Sequence, residues 1–238
     1  MMQDKRNKKV NNKNTKKEKA VVLFSGGLDS TTCLYWALDK GYECIALNIS
    51  YGQKHIKEIA CAKKICSKLG VKMQSLNINL PWLAAATTLV GKNKTLPAAN
   101  IKEIHNKKRL PSTYVPGRNL LFIALAASFA DSIGATVIIA GPNAIDYSGY
   151  PDCRPQFYKP LAKAVKEGTS GAISGKSIKI LTPLLKLSKA QIAKLGAKLK
   201  VPFGLTWTCY KGGVKPCGKC DACLLREQGF KEAGILDK

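Results

Sequence analysis

Two short stretches of this chain carry chemistry in their residue types and spacing. The first is Ser25-Gly26-Gly27-Leu28-Asp29-Ser30, between an apolar run and a helical pattern. Paired glycines let the backbone turn tightly and approach an anion, and a helix N-terminus offers unbonded N–H groups. With Ser25 and Ser30 adding hydroxyl donors, the hexapeptide suits a phosphate. A carboxylate beside phosphates repels them unless a cation lies between, which gives Asp29 a Mg2+-bridging or a helix-capping role. The second stretch holds Cys209, Cys217, Cys220 and Cys223 within fifteen residues, with Gly212, Gly213 and Gly218 letting the chain fold back around one ion. Four thiolates suit a closed tetrahedral Zn2+ site. An iron–sulfur cluster is the rival, and the small Gly-rich loop favours zinc, with a structural role.

Two better-known phosphate loops are excluded. No GxGxxG follows a strand, so a nicotinamide or flavin dinucleotide is not indicated. The run Gly171-Ala172-Ile173-Ser174-Gly175-Lys176-Ser177 is one residue short of a Walker loop and precedes a strand instead of following one. Three polar stretches go beyond what a fold requires: Tyr51-Gly52-Gln53-Lys54-His55, Thr113 to Asn119, and Asn143 to Tyr158. The last gathers Asp146, Tyr147, Asp152, Cys153 and Arg154. An Asp can accept from the N–H edge of a guanine-like ring, tyrosines can stack on it, and an Arg can pair with a carboxylate.

These segments need elements to hold them. Strand patterns over 19–25, 43–50, 71–78, 136–141 and 177–181 alternate with helical patterns over 29–40, 54–69, 118–133, 154–167 and 188–200. That alternation predicts an α/β fold with a doubly wound parallel sheet, whose ligand crevice lies at the strand carboxyl ends. Residues 80–110 are less regular and Lys-rich, and read as an insertion with a mobile portion. The expected organisation is a disordered basic tail over 1–18, a nucleotide-binding α/β domain over 19–206 and a small four-cysteine zinc module over 207–238.

At 238 residues and 45% hydrophobic content the chain can bury a core. Its longest apolar runs, 20–24 and 120–127, fall short of the roughly 20 residues that span a bilayer. The apolar run behind the basic start is too short for a signal peptide, so the nine cysteines are read against a reducing cytoplasm. The net charge of +24 invites a nucleic-acid reading, and residues 1–19 account for six of those charges. Most of the excess is single lysines with few aromatics between, which fits a solvated surface.

The hexapeptide resembles the pyrophosphate loop (PP-loop) of the ATP pyrophosphatase superfamily, whose members split ATP to adenylate an oxygen. The series SGGLDS, YGQKH, TYVPGRN, GPNAIDYSGYPDCRPQF, LLKLSKAQI, then TWTCY with PCGKCDAC and Arg226, is similar to the 7-cyano-7-deazaguanine synthase family of the queuosine pathway over nearly everything from Lys19 onward. The resemblance implies a PP-loop fold of the adenine nucleotide alpha hydrolase-like type, with ATP, Mg2+ and one structural Zn2+ per subunit of a homodimer. It implies conversion of 7-carboxy-7-deazaguanine and ammonia to the nitrile by adenylation, amide formation and dehydration. ATP would lie on Phe24, Ser25, Gly26, Gly27, Leu28, Asp29, Ser30 and Thr31, with Asp29, Ser30 and Arg118 catalytic. The base would lie among Tyr51, Gln53, His55, Arg118, Asn119, Asp146, Tyr147, Asp152, Cys153 and Arg154. No nucleic acid and no membrane partner is expected. A tRNA-modifying thiolase or lysidine-type ligase would use the same loop and put the positive charge on phosphates. A zinc-ribbon interaction protein would leave the loop unexplained.

Overall fold

The run Lys-Ala-Val-Val-Leu opens a sheet because both of its faces can be buried. The computed structural model describes residues 17–53, 57–90, 98, 104, 110–145 and 149–238. In it β1 (Lys19–Leu23) lies between β2 (Glu43–Ser50) and β4 (Val137–Ile139), with β3 (Lys72–Asn77) and β5 (Lys179–Leu181) outside them. The order is β3-β2-β1-β4-β5 and every pairing is parallel, Val21 standing between Ile45 and Ile138. Parallel neighbours leave room only for apolar residues on both faces, and Ala20, Val21 and Val22 are completely buried.

The two-residue alternation of β1 divides the core. Ala20 and Val22 pack with Phe24, Leu34, Ile65, Ile192 and Phe230, under α1 (Leu28–Asp39), α2 (Lys57–Leu69), α7 (Lys189–Lys198) and α8 (Asp221–Ala233). Val21 faces the other way, toward Ile123, Ala126, Ile138, Tyr158 and Val165, under α4 (Arg118–Ser132) and α5 (Pro155–Glu167). From β1 the chain winds outward to β2 and β3, then returns to β4 and β5 on the other side. That reversal opens a crevice beyond the carboxyl ends of β1 and β4.

The expected α/β doubly wound sheet is therefore present. The first strand ends at Leu23, two residues before the predicted limit, because Phe24 and Ser25 already turn into the loop. Two short helices were not foreseen, α3 (Leu83–Ala86) and α6 (Gly171–Ser174). The second takes up the Walker-like run as one turn ahead of β5. Most of the basic tail, and most of 91–109 where mobility was expected, lies outside the described residues. Glu18 is already in place, its carbonyl accepting from the Glu43 N–H at 3.0 Å and its carboxylate from the Thr136 hydroxyl at 2.7 Å. Among the described residues no helix is long and apolar enough to cross a membrane.

The C-terminal helix α8 packs on the sheet domain, where Phe230 meets Phe203 edge to face at 4.8 Å. Truncating a buried Phe costs roughly 3–5 kcal/mol. Phe230→Ala should thus lower unfolding stability by about 3 kcal/mol in a urea titration, in a single transition. A loss below about 1 kcal/mol would show that α8 is not part of the cooperative core.

Candidate functional site

The glycine loop takes its shape from what surrounds it. Gly26 has φ +93°, and a Cβ there would lie 2.5 Å from the Glu58 carbonyl oxygen and 2.6 Å from the Ala62 nitrogen, both on α2. Its own carbonyl accepts from the Trp207 N–H at 3.0 Å. Upstream, the Phe24 N–H donates to the Leu47 carbonyl at 2.9 Å and the buried Asn48 amide donates to the Phe24 carbonyl at 2.8 Å. The serines brace the inside of the turn. Ser30 Oγ lies 3.1 Å from Ser25 Oγ and accepts from the Ser25 and Gly26 N–H groups, each at 3.3 Å. Thr31 donates to the Gly27 carbonyl at 2.8 Å.

Asp29 is not a cap, which corrects one of its two expected roles. The N-cap of α1 is Gly27, and no side chain closes it. The carboxylate instead receives the Lys189 ammonium on both oxygens, at 2.8 and 2.7 Å. Lys189 is the first residue of α7, and its side chain is only 7% exposed against 23% for Asp29.

A cavity of about 250 Å3 begins at this loop and runs along the carboxyl ends of β1, β2 and β4. Ser25, Gly27, Asp29, Ser30 and Lys189 line one end of it. Of the expected base-binding residues, Tyr51, Gln53, Arg118, Asn119 and Cys153 line it as well. Asp152 and Arg154 are not among its walls. Asp152 is buried and accepts the Asn119 N–H at 3.0 Å, so its carboxylate closes the first turn of α4 from another element. Arg154 is exposed at the start of α5. His55, Asp146 and Tyr147 lie outside the described residues. Residues that sequence reasoning did not single out also face the cavity, among them Thr113, Asn143, Tyr150, Lys189, Trp207 and Tyr210. Thr113, Asn143 and Tyr150 sit inside the polar stretches that drew attention, and Lys189, Trp207 and Tyr210 fall within the LLKLSKAQI and TWTCY segments, where no role was assigned to them.

Charge states follow from burial and neighbours. Burial works against the Arg118 guanidinium, but attraction to Tyr51 and a hydrogen bond donated to its oxygen, with Cys153 and Tyr210 close by, hold its proton more firmly than usual. Burial, with Asp152 adding to it, pushes the Cys153 thiol up to about 11, so it stays protonated at neutral pH and is a poor nucleophile. Tyr150 is pushed up to about 12 by burial and shares a 2.7 Å hydrogen bond with Thr113.

The cysteine segment lies against the cavity, next to the glycine loop. The sulfurs of Cys209, Cys217, Cys220 and Cys223 all lie within 4.8 Å of one another, an arrangement that can hold a metal ion. Within the Cys220–Cys223 pair, the hydrogen bond from Cys223 pulls the Cys220 thiol down against burial and holds the Cys223 thiol up. The same segment brings Trp207, Thr208, Tyr210 and Ala222 to the cavity. Arg226 secures it, pairing both Asp237 oxygens at 2.7 Å and donating to the Thr206 and Thr208 hydroxyls at 2.9 Å.

Comparison with known proteins bears on this site. The family described as queuosine biosynthesis protein QueC matches residues 19–234. A 7-cyano-7-deazaguanine synthase of Leptospira interrogans is 48% identical, covering 98% of this chain and 97% of its own length. Its counterpart in Picrophilus torridus is 48% identical, with 92% and 90% covered. That of Acetivibrio thermocellus is 46% identical, with 92% and 96% covered.

The space around Gly26 makes a prediction of its own. Gly26→Ala puts a methyl group against the α2 backbone at a φ that side chains rarely adopt, so α2 or the loop must move. Its melting temperature should fall by several degrees. An unchanged melting temperature would contradict the loop geometry.

Proposed function

From the premise that this chain belongs to the QueC family of queuosine biosynthesis proteins and is an enzyme, we propose that it converts 7-carboxy-7-deazaguanine and ammonia to 7-cyano-7-deazaguanine at the expense of ATP. The observation that carries this reading is one continuous cavity, with the glycine loop at one end and Arg118, Asn119, Tyr150 and Cys153 further along it. A phosphate cradle and a polar, aromatic-walled compartment in contact suit transfer between a nucleotide and a flat acidic base.

A carboxylate does not react with ammonia at neutral pH because its oxygen leaves poorly. Attack of that oxygen on the α-phosphorus of ATP expels pyrophosphate and forms an acyl adenylate. Ammonia adds at the carbonyl carbon, AMP departs, and a proton is released with the amide. A second adenylation, on the amide oxygen, lets AMP leave again as the nitrogen loses its protons and the nitrile forms. Ser25, Gly26, Gly27 and Ser30 hold the pyrophosphate end, with Phe24, Leu28 and Thr31 completing the ATP site. Arg118 faces charge developing at phosphorus. Asp29 would hold a Mg2+, which would supply charge neutralisation to the phosphates. Tyr51, Gln53, Asn119 and Cys153 surround the base, with Asp152 orienting Asn119; His55, Asp146, Tyr147 and Arg154 complete the proposed set. Cys153, protonated, serves as a wall and not as a nucleophile.

The four-cysteine site suits zinc. Thiolates about 2.3 Å from a central ion stand roughly 3.8 Å apart in a tetrahedron, and the Cys217 and Cys223 sulfurs lie 4.0 Å apart. Clustering this tight fits one ion better than ligands spread over several irons. The reading extends to an ATP-binding α/β body over 19–206 with a zinc module over 207–238, acting as a cytoplasmic homodimer. The tRNA-modifying alternative is set aside, because relatives 46–48% identical over almost the whole chain carry the synthase name.

Mass spectrometry after incubation with ATP, ammonium and the carboxy-deazaguanine tests the activity; the nitrile, AMP and pyrophosphate are the expected products. Asp29→Ala should remain folded and lose at least about 100-fold of turnover, whereas a folded variant with near-normal turnover would sink the assignment. Metal analysis tests the module. Cys220→Ser should lose zinc almost entirely and lower the melting temperature, since removing one of four ligands opens the site. Iron in the native protein, or full zinc in the variant, would contradict it.

A further inference from the structure

An acidic residue in a phosphate loop needs an explanation that the loop itself does not contain, and the structure supplies one 160 residues along the chain. Lys189 places its ammonium 2.8 and 2.7 Å from the two Asp29 oxygens, and its side chain is almost wholly buried. Three features show that this placement is specific. Lys189 is the first residue of α7, whose start is closed by a capping box between Ser188 and Gln191. The N-terminus of a helix disfavours a cation, so the site holds a lysine against the local field. Its stem is gripped by Gly229 of α8, where a Cβ would lie 2.4 Å from Lys189 Cγ. Both Asp29 and Lys189 line the cavity next to Ser25, Gly27 and Ser30.

We propose that Lys189 is a positioning residue for the phosphate loop: it fixes the Asp29 carboxylate at the cavity wall and balances its charge, so that the loop can admit a triphosphate. This rests on the reading of the loop as an ATP site. In the unpaired state the carboxylate would face the incoming phosphates and repel them. Paired, it presents a neutral, rigid edge, already aimed for a divalent cation that arrives with the nucleotide. A salt bridge that merely held α7 against α1 would affect all ligands of the cavity alike. A charge-balancing one must discriminate by ligand charge.

The test is Lys189→Met, which keeps an unbranched stem beside Gly229 and removes the charge. Dissociation constants for ATP and for adenosine are measured by calorimetry in magnesium buffer on the full-length protein, with melting temperatures alongside. ATP should weaken at least tenfold and adenosine by less than about threefold. The double variant Asp29→Asn, Lys189→Met, with neither charge, should bind ATP at least threefold more tightly than Lys189→Met, because the unpaired carboxylate is gone. Equal losses for ATP and adenosine, or ATP binding that is unchanged or tighter in Lys189→Met, would overturn the proposal. Should Lys189→Met not fold, Asp29→Asn and the double variant differ only at residue 189 and carry the test. ATP should then bind at least threefold more tightly to Asp29→Asn, with adenosine indifferent, and equal ATP affinities would overturn the proposal. A native protein that binds no ATP at all would instead remove the underlying reading of the loop, and the proposal with it.

Discussion

No side chain fits where Gly26 passes the backbone of α2, and the site is arranged around that contact. The loop can lie against the Glu58 carbonyl and the Ala62 nitrogen only because residue 26 has no Cβ and tolerates φ +93°. Close approach seats the loop beside α2, with Gly27 on the cavity wall and its N–H donating to Ser25 Oγ at 3.2 Å. It also leaves the Gly26 carbonyl turned outward, where the Trp207 N–H takes it up at 3.0 Å. One steric absence therefore couples the first crossover of the sheet, the phosphate cradle and the segment that leads into the cysteines.

That coupling explains why the four-cysteine segment contributes to the wall of the cavity. Trp207 is fixed at its main chain by Gly26 and at its indole by the Cys209 carbonyl, 2.9 Å away. Lys57, from α2, sits over the indole ring at 4.0 Å. Asp221, next to Cys220, accepts from the Thr113 hydroxyl at 3.2 Å, and Thr113 in turn meets Tyr150. The closure of four thiolates around an ion would thus hold a cavity wall in register with the glycine loop. A module of this size could not bury enough apolar surface to hold its own shape. Its order would come from the ion on one side, and comes from Arg226 and Phe230 on the other.

How much of this was legible in the sequence depends on whether the cause is local. The parallel sheet, the glycine loop and the cysteine cluster were readable, because strand alternation, paired glycines at a strand end and CxxC spacing are each written in adjacent residues. The partner of Asp29 was not. A lone Lys after a serine cap in Ser188-Lys189 is an ordinary surface pattern, and only the packing of α7 and α8 against α1 turns it inward. For Asp152 the structure adds a role that its sequence neighbourhood does not show. Its type and neighbourhood suited a ligand, yet the unbonded N–H at the start of α4 claims its carboxylate, an interaction across 33 residues that no window reveals.

The lysine excess takes a different meaning once the site is in place. A charge of +24 is far more than one nucleotide needs, and phosphate contacts with a nucleic acid would be the ready explanation. The proposed reaction, however, handles anions at every stage: ATP, the carboxylate, pyrophosphate and AMP. A broadly positive surface raises the local concentration of each, over a Debye length of about 8 Å in physiological salt. Such a field is indifferent to which anion it draws, so it cannot supply specificity. That leaves discrimination to the cavity, where Asp29 and Lys189 cancel each other and the Arg118 guanidinium stands among Tyr51, Cys153 and Tyr210. The surface attracts by charge, and the site has to select by shape and hydrogen bonding.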